Sequence, residues 1–235
     1  MITWYFYTMV KRKLEKFAAL DTFPNVLQNR SFKHPKAENA EGETIDIKGY
    51  WSERMFRNNH PLVLELACGK GEYTNAMARI NPHKNFVGID IKGNRMHTGA
   101  KQAMEEGINN AAFLRTEIYL LPHFFAADEV SEIWITFPDP HLRPSKDQQR
   151  LSSERFINIY RSMMPKGGII HLKTDDTTLY EFTVQTVAEV GATMIYHHND
   201  IYSTDLVEPL LEVKTYYERM HLKDNRKVKY VKFSV

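Results

Sequence analysis

The chain has 235 residues, of which 43% are hydrophobic and 26% charged, with one cysteine and a formal net charge of +2. This is the composition of a globular chain with room for one large domain and a modest extension; it excludes a collagen-like, low-complexity or disulfide-stapled protein. The lone thiol, Cys68, cannot make an intramolecular disulfide and fits a reducing cytoplasm, while a net charge this small means that a polyanionic partner must be recognised from local distribution.

Residues 1–58 read as a basic, partly disordered extension, with a short helix near 11–20, irregular chain, and a further short element around 50–56. The apolar opening from Met1 to Met9 is far shorter than a membrane span and has neither a positive leader nor a small-residue cleavage site, so no membrane is expected. Met9 is an alternative start. Between Val10 and Lys36 lie Lys11, Arg12, Lys13, Lys16, Arg30, Lys33 and Lys36, against only Glu15 and Asp21. A second basic group follows residue 140 (Arg143, Lys146, Arg150, Arg155, Arg161 and Lys166), and a third runs from Arg219 to Lys232. Three such groups converging on one site would suit a phosphate-bearing partner.

From residue 59 the pattern alternates. Strands are predicted at 62–67, 85–91, 111–117, 132–137, 168–174, 191–198 and 227–235, and helices at 72–80, 93–106, 152–164, 177–190 and 209–221. Short apolar strands separated by helices predict an α/β fold: a Rossmann-like, doubly wound, mostly parallel seven-stranded sheet with helices on both faces. Such sheets bind ligands beyond the carboxyl ends of their strands.

Three apolar strands run directly into loops that carry acids, in the segments 64–71, 133–141 and 173–175, and a further strand ends in an acid. The first strand, Leu62-Val-Leu-Glu65, leads into Ala67-Cys-Gly69-Lys-Gly71, whose glycines allow close approach of a ligand. The second ends at Asp90, placed to bind ribose hydroxyls. A dinucleotide fingerprint would need a third glycine where Thr74 stands, and a P-loop would end in Gly-Lys-Ser/Thr; neither is present. Glu65 and Asp90 instead suit a cationic cofactor with an unphosphorylated ribose, S-adenosylmethionine. The fourth strand runs into Phe137-Pro-Asp-Pro140. Each proline disfavours a helical conformation for the residue before it, so Phe137 and Asp139 are expected to be extended, with the Asp139 carboxylate held in a nearly fixed direction.

Taken with Leu172-Lys-Thr-Asp175 and Thr215-x-Tyr217-Glu218, these motifs resemble the bacterial tRNA (guanine-N7-)-methyltransferase family over about residues 61–235. The resemblance implies a class I methyltransferase fold and methyl transfer from S-adenosylmethionine to N7 of a tRNA guanine, at position 46 of the variable loop. It leaves S-adenosylhomocysteine as product and requires no metal. It places Glu65, Gly69, Gly71, Asp90, Glu117 and Asp139 around the cofactor, with Asp139 catalytic, and Arg143, Asp175, Thr215, Tyr217 and Glu218 on the substrate. tRNA is the expected partner, no obligatory protein partner is inferred, and the expected location is the cytoplasm. The chain departs from the family at Ala67, usually glycine; at Glu117, usually Asp; and in 141–150, where an aromatic, strongly basic run is replaced by His-Leu-Arg-Pro-Ser-Lys-Asp-Gln-Gln-Arg. The alternatives are a small-molecule methyltransferase and a noncatalytic RNA-binding relative.

The chemistry itself demands little. Guanine N7 carries a lone pair and no proton, so its attack on a methyl group needs no general base. What it needs is in-line positioning and negative charge near a ring that becomes cationic.

Overall fold

The computed structural model describes residues 14–235. Five central strands, β4 (Leu62–Leu66), β5 (Asn85–Asp90), β6 (Ala111–Arg115), β7 (Val130–Thr136) and β8 (Ile169–Thr174), form a parallel sheet in the order β6-β5-β4-β7-β8. Leu62, Leu64 and Leu66 point into one core and Val63 into the other, so the apolar run that only Glu65 interrupts reflects burial of both faces. On one face lie α2 (Glu72–Ile80) and α3 (Gly93–Glu105), contributing Tyr73, Met77, Met96 and Ala100; on the other, α4 (Glu154–Arg161) and α5 (Thr177–Glu189) contribute Ile157, Tyr160, Leu179 and Val187.

The sheet closes with β10 (Lys229–Ser234) inserted between β8 and β9 (Thr193–His198), antiparallel to both. All seven predicted strands are therefore present. Two helices are shorter than expected: α4 begins after Ser153, and the predicted 209–221 helix divides into a 3-10 turn at Pro209–Glu212 and α6 (Tyr216–Lys223). Val213 and Thr215 are extended between them, and the Thr215 hydroxyl accepts a hydrogen bond from the Glu218 amide at 3.2 Å, which starts a new helix.

The main correction concerns the extension. Within its described part, residues 14–20 are helical (α1), and β1 (Val26–Gln28), β2 (Ala37–Glu38) and β3 (Thr44–Ile45) enlarge the sheet from seven strands to ten. β1 pairs parallel with β6, from Val26 opposite Phe113 to Gln28 opposite Arg115, and buries Val26 and Leu27. Trp51 is fully buried, donates its indole N–H to the Phe124 carbonyl at 2.8 Å and stacks on Phe125. Strands of two or three residues have too little length to show alternation, so this part looks irregular in sequence. The expected basic residues Lys11, Arg12 and Lys13 lie outside the described residues.

Candidate active site

The strand order reverses at β4: the chain runs outward through β5 and β6, then returns to lay β7 on the other side. At that switch point, beyond the carboxyl ends of the strands, lies a cleft of about 690 Å³ bordered by Ala67, Gly69, Asp90, Glu117, Phe137 and Asp139. A recess of about 90 Å³ shares Ala67, Gly69 and Phe137 with it and is walled by Glu65, Tyr73, Thr136 and Thr215. The geometry thus brings together Glu65, Gly69, Asp90, Glu117 and Asp139 from separate strand ends, with Thr215 beside them.

The loop after β4 turns sharply. Ala67, Gly69 and Gly71 have φ of +58°, +55° and +70°, and the Gly71 amide donates to the Cys68 carbonyl at 2.8 Å. A Cβ on Gly71 would stand 2.6 Å from the Phe113 ring, and one on Gly99 would stand 2.5 Å from the Lys70 carbonyl oxygen. Gly99, on α3, thus takes the close-packing part that a third loop glycine plays in dinucleotide folds. Asp90 accepts the Gly69 amide on one oxygen at 2.9 Å and the Lys92 amide on the other at 2.8 Å. Each oxygen keeps a further lone pair for a hydroxyl.

Glu65 is 2% exposed. Its partners are neutral: the hydroxyls of Thr74, on one oxygen, and of Thr136, on the other at 2.7 Å, with the Thr74 backbone amide adding to them. Burial pushes its pKa up to about 7, against the opposing pull of those hydroxyls. A buried acid whose partners are neutral is disposed to accept a cation.

The Pro-Asp-Pro turn departs from expectation. Phe137 is not extended but has φ +47°. The following proline disfavours the right-handed helical region yet leaves the left-handed one open, and two contacts hold Phe137 there: its amide donates to the Lys173 carbonyl at 2.8 Å, and its ring lies parallel to that of His221. His141, on the far side, has φ +44° and donates its amide to the Asp139 carboxylate at 3.0 Å. Asp139 itself is exposed in the cleft.

The expected substrate residues divide. Arg143 is exposed on the loop between His141 and Gln149, both of which border the cleft. Asp175 is engaged with His221 and Arg226, each at 2.9 Å. Glu218 is 0% exposed, pairs with Lys173 at 2.8 Å, and accepts the Tyr202 hydroxyl at 2.6 Å, which ties α6 to β8. Thr215 is both the N-cap of α6 and a wall of the recess. The side chain of Tyr217 lies outside those described. Lys173 and His221 were not singled out by sequence, because a lysine within a strand and a histidine on a short helix carry no pattern of their own.

The basic groups are partly neutralised: Arg30 by Asp21 and Glu38, Lys36 by Glu38, Arg226 by Asp175, and Lys232 by Glu208. Among the described residues, no group of three or more His, Cys, Asp or Glu side chains is arranged to hold a metal, and no helix is long and apolar enough to cross a membrane.

Residues 59–231 match a family model described as a putative methyltransferase. The tRNA (guanine-N(7)-)-methyltransferase of Christiangramia forsetii is 42% identical over 96% of this chain and 98% of its own length. That of Bacteroides fragilis is 44% identical over 96% of this chain and 86% of its own. Among solved structures, the 16S rRNA methyltransferase KamB superposes with a TM-score of 0.61 at 16% identity, covering 82% of this chain and 96% of that one. The last likeness is one of fold, and it confirms the Rossmann-like sheet.

Proposed function

The chain belongs to the tRNA (guanine-N(7)-)-methyltransferase family, and from that premise we propose how its residues share the work. It is an enzyme that transfers a methyl group from S-adenosylmethionine to N7 of a guanine in tRNA, forming 7-methylguanosine. The finer assignments are ours: guanine 46 of the variable loop as acceptor, the residue roles below, independence from metal and from an obligatory protein partner, and a cytoplasmic location. The observation that carries the residue roles is the placement of Asp90 and Asp139 on one cleft at the switch point, with Glu65 on the recess that adjoins it through Ala67, Gly69 and Phe137.

The residues present fit the cosubstrate. Glu65, buried with only neutral partners and a pKa near 7, answers a positively charged group, and Asp90 keeps acceptor capacity for a ribose. A cleft of about 690 Å³ falls in the range of small-molecule sites. When bound, S-adenosylmethionine supplies an electrophilic methyl group on a sulfonium. Gly69 and Gly71 give the backbone its close approach, and Glu117 closes the cleft on the side of β6. Asp139 accepts hydrogen bonds from the guanine edge, orienting N7 and placing negative charge beside the ring as it becomes cationic. Nothing has to remove a proton. Arg143, Asp175, Thr215 and Tyr217 serve the substrate side, with Glu218 holding Thr215 and its helix in place.

Incubation with labelled cosubstrate and bulk tRNA, followed by nucleoside analysis, tests the reaction; 7-methylguanosine is the expected product. Asp139→Ala should fold normally yet turn over about 100-fold more slowly or worse, the scale of losing one preorganised electrostatic group. Near-normal turnover in the variant would remove Asp139 from its role. For binding to tRNA phosphates, neutralising Lys11, Arg12, Lys13 and Lys33 together should flatten the dependence of log affinity on log salt by about 0.7–0.9 for each phosphate that is no longer neutralised. Substitution serves better than removing the whole basic segment, because a deletion reaching residue 36 would cut out β1. An unchanged slope would shift phosphate binding to the group beginning at Arg219.

A further inference from the structure

Arg150 ends the 141–150 segment and belongs, by sequence, to a basic group that suits phosphate binding. The structure gives it other surroundings. It is 4% exposed, and its guanidinium faces inward, donating from Nε to the Pro140 carbonyl at 3.0 Å and from Nη2 to the His141 carbonyl at 3.1 Å. Nη2 also lies 2.8 Å from the Asp147 carboxylate, and the group sits 4.4 Å from the centre of the Phe182 ring on α5.

The two carbonyls it grips are those of the residues directly after Asp139. That turn is bounded by two non-glycine residues with positive φ, Phe137 and His141, conformations that persist only where their surroundings enforce them. On the Phe137 side the ring stack on His221 supplies the constraint. On the other side the constraints are the His141 amide bond to Asp139 and the fork of Arg150. A planar guanidinium holds two acceptors in fixed relation, which an ammonium on a flexible stem does not.

We propose that Arg150 is the positioning residue of the Pro-Asp-Pro turn: by fixing the Pro140 and His141 carbonyls against α5, it aims the Asp139 carboxylate at the acceptor guanine. The proposal rests on the role assigned to Asp139 above. It also explains how a loop stripped of most of its basic run can keep its terminal arginine for a structural purpose tied to catalysis and separate from phosphate binding.

The test uses the full-length enzyme with tRNA. Arg150→Lys keeps the charge and loses the fork; it should lower kcat at least about tenfold, the scale for displacing a reacting group by a fraction of an ångström. The KM for tRNA and the cosubstrate affinity from calorimetry should stay within about twofold, since Arg150 is buried and does not line the cleft. Combined with Asp139→Ala, Arg150→Lys should add almost no further loss, because the two act as one unit. Wild-type kcat in Arg150→Lys, a loss confined to the KM for tRNA, or losses that multiply in the double variant would each overturn the proposal. Should Arg150→Lys fail to fold, Asp147→Asn decides: it loosens the guanidinium from the exposed side, kcat should fall with KM unchanged, and an unaltered kcat overturns the proposal. Wild-type enzyme that leaves tRNA without 7-methylguanosine would instead defeat the parent reading before any variant is made.

Discussion

Glu65 and Glu218 are almost equally withdrawn from solvent, at 2% and 0% exposure, but their partners differ in kind. Glu218 has a buried cation, Lys173, at 2.8 Å, and Lys173 in turn donates to the Leu211 and Val213 carbonyls at 3.1 and 3.0 Å. Glu65 has two hydroxyls and a recess. A buried charge is tolerated when it is paired and hydrogen-bonded; one left without a countercharge stores a cost that a cationic ligand relieves. The proposed roles follow that difference: the paired acid is read as scaffold and the unpaired acid as site.

The contrast breaks most visibly at the paired end. Burial pushes the Lys173 pKa down while Glu218 holds it up, so removing one partner strands the other. Lys173→Met should destabilise the protein by about 3–5 kcal/mol, and Lys173→Met with Glu218→Gln should recover much of that loss. Denaturant unfolding of the single and double variants measures this. Equal instability in both would mean that the pair acts through packing alone.

At the unpaired end the sign reverses. An acid whose pKa rises from 4.5 in the unfolded chain to about 7 in the folded one contributes stability that is full below pH 4.5 and lost as pH rises through 7. In the protein without cosubstrate, Glu65→Gln should therefore be stabilising at pH 8, on the order of 2–3 kcal/mol, with the difference fading towards pH 4. Its cosubstrate affinity should drop on the order of 1–3 kcal/mol at the same pH, and the rise of wild-type affinity from pH 6 to 8, as Glu65 becomes charged, should disappear. A stability difference independent of pH would show that Glu65 is not the titrating group. The gain and the loss in one substitution are what distinguish a site residue from Glu218.

Sequence assigned Glu65 to the cofactor from its strand-end position and Glu218 to the substrate only through the family resemblance, and neither reading could show what stands opposite each acid. The seven strands β4 to β10 were readable from their apolar runs, and the gathering of Glu65, Asp90 and Asp139 followed from strand ends that a parallel sheet must bring to one side. Lys173 was hidden: a lysine in Leu172-Lys-Thr-Asp175 looks like a strand terminus until β8 is seen to face α6. The left-handed Phe137 was hidden as well, since Pro138 predicts only what is disfavoured, and the choice among the remaining conformations came from Lys173 and His221. β1 to β3 were too short for any periodicity to register.

The smallest effect concerns the loop that leaves Glu65. Ala67 has φ +58°, a conformation that costs an L-residue roughly 1–2 kcal/mol and glycine almost nothing. Glycine also widens the unfolded ensemble, at about 0.4–1 kcal/mol, which offsets part of the gain. Ala67→Gly should then stabilise the protein by no more than about 1 kcal/mol, read from denaturant midpoints. Ala67 borders both the cleft and the recess, so the substitution also asks whether its methyl or its backbone shapes them. If the backbone does, cosubstrate affinity stays within about twofold of wild type, as expected when the turn is already held by the Cys68 and Gly71 amides and by Asp90. A tenfold or greater loss of affinity, which is about 1.4 kcal/mol, would show that the methyl packs against the cosubstrate. The selectivity of the pocket beside Glu65 would then owe as much to shape as to charge.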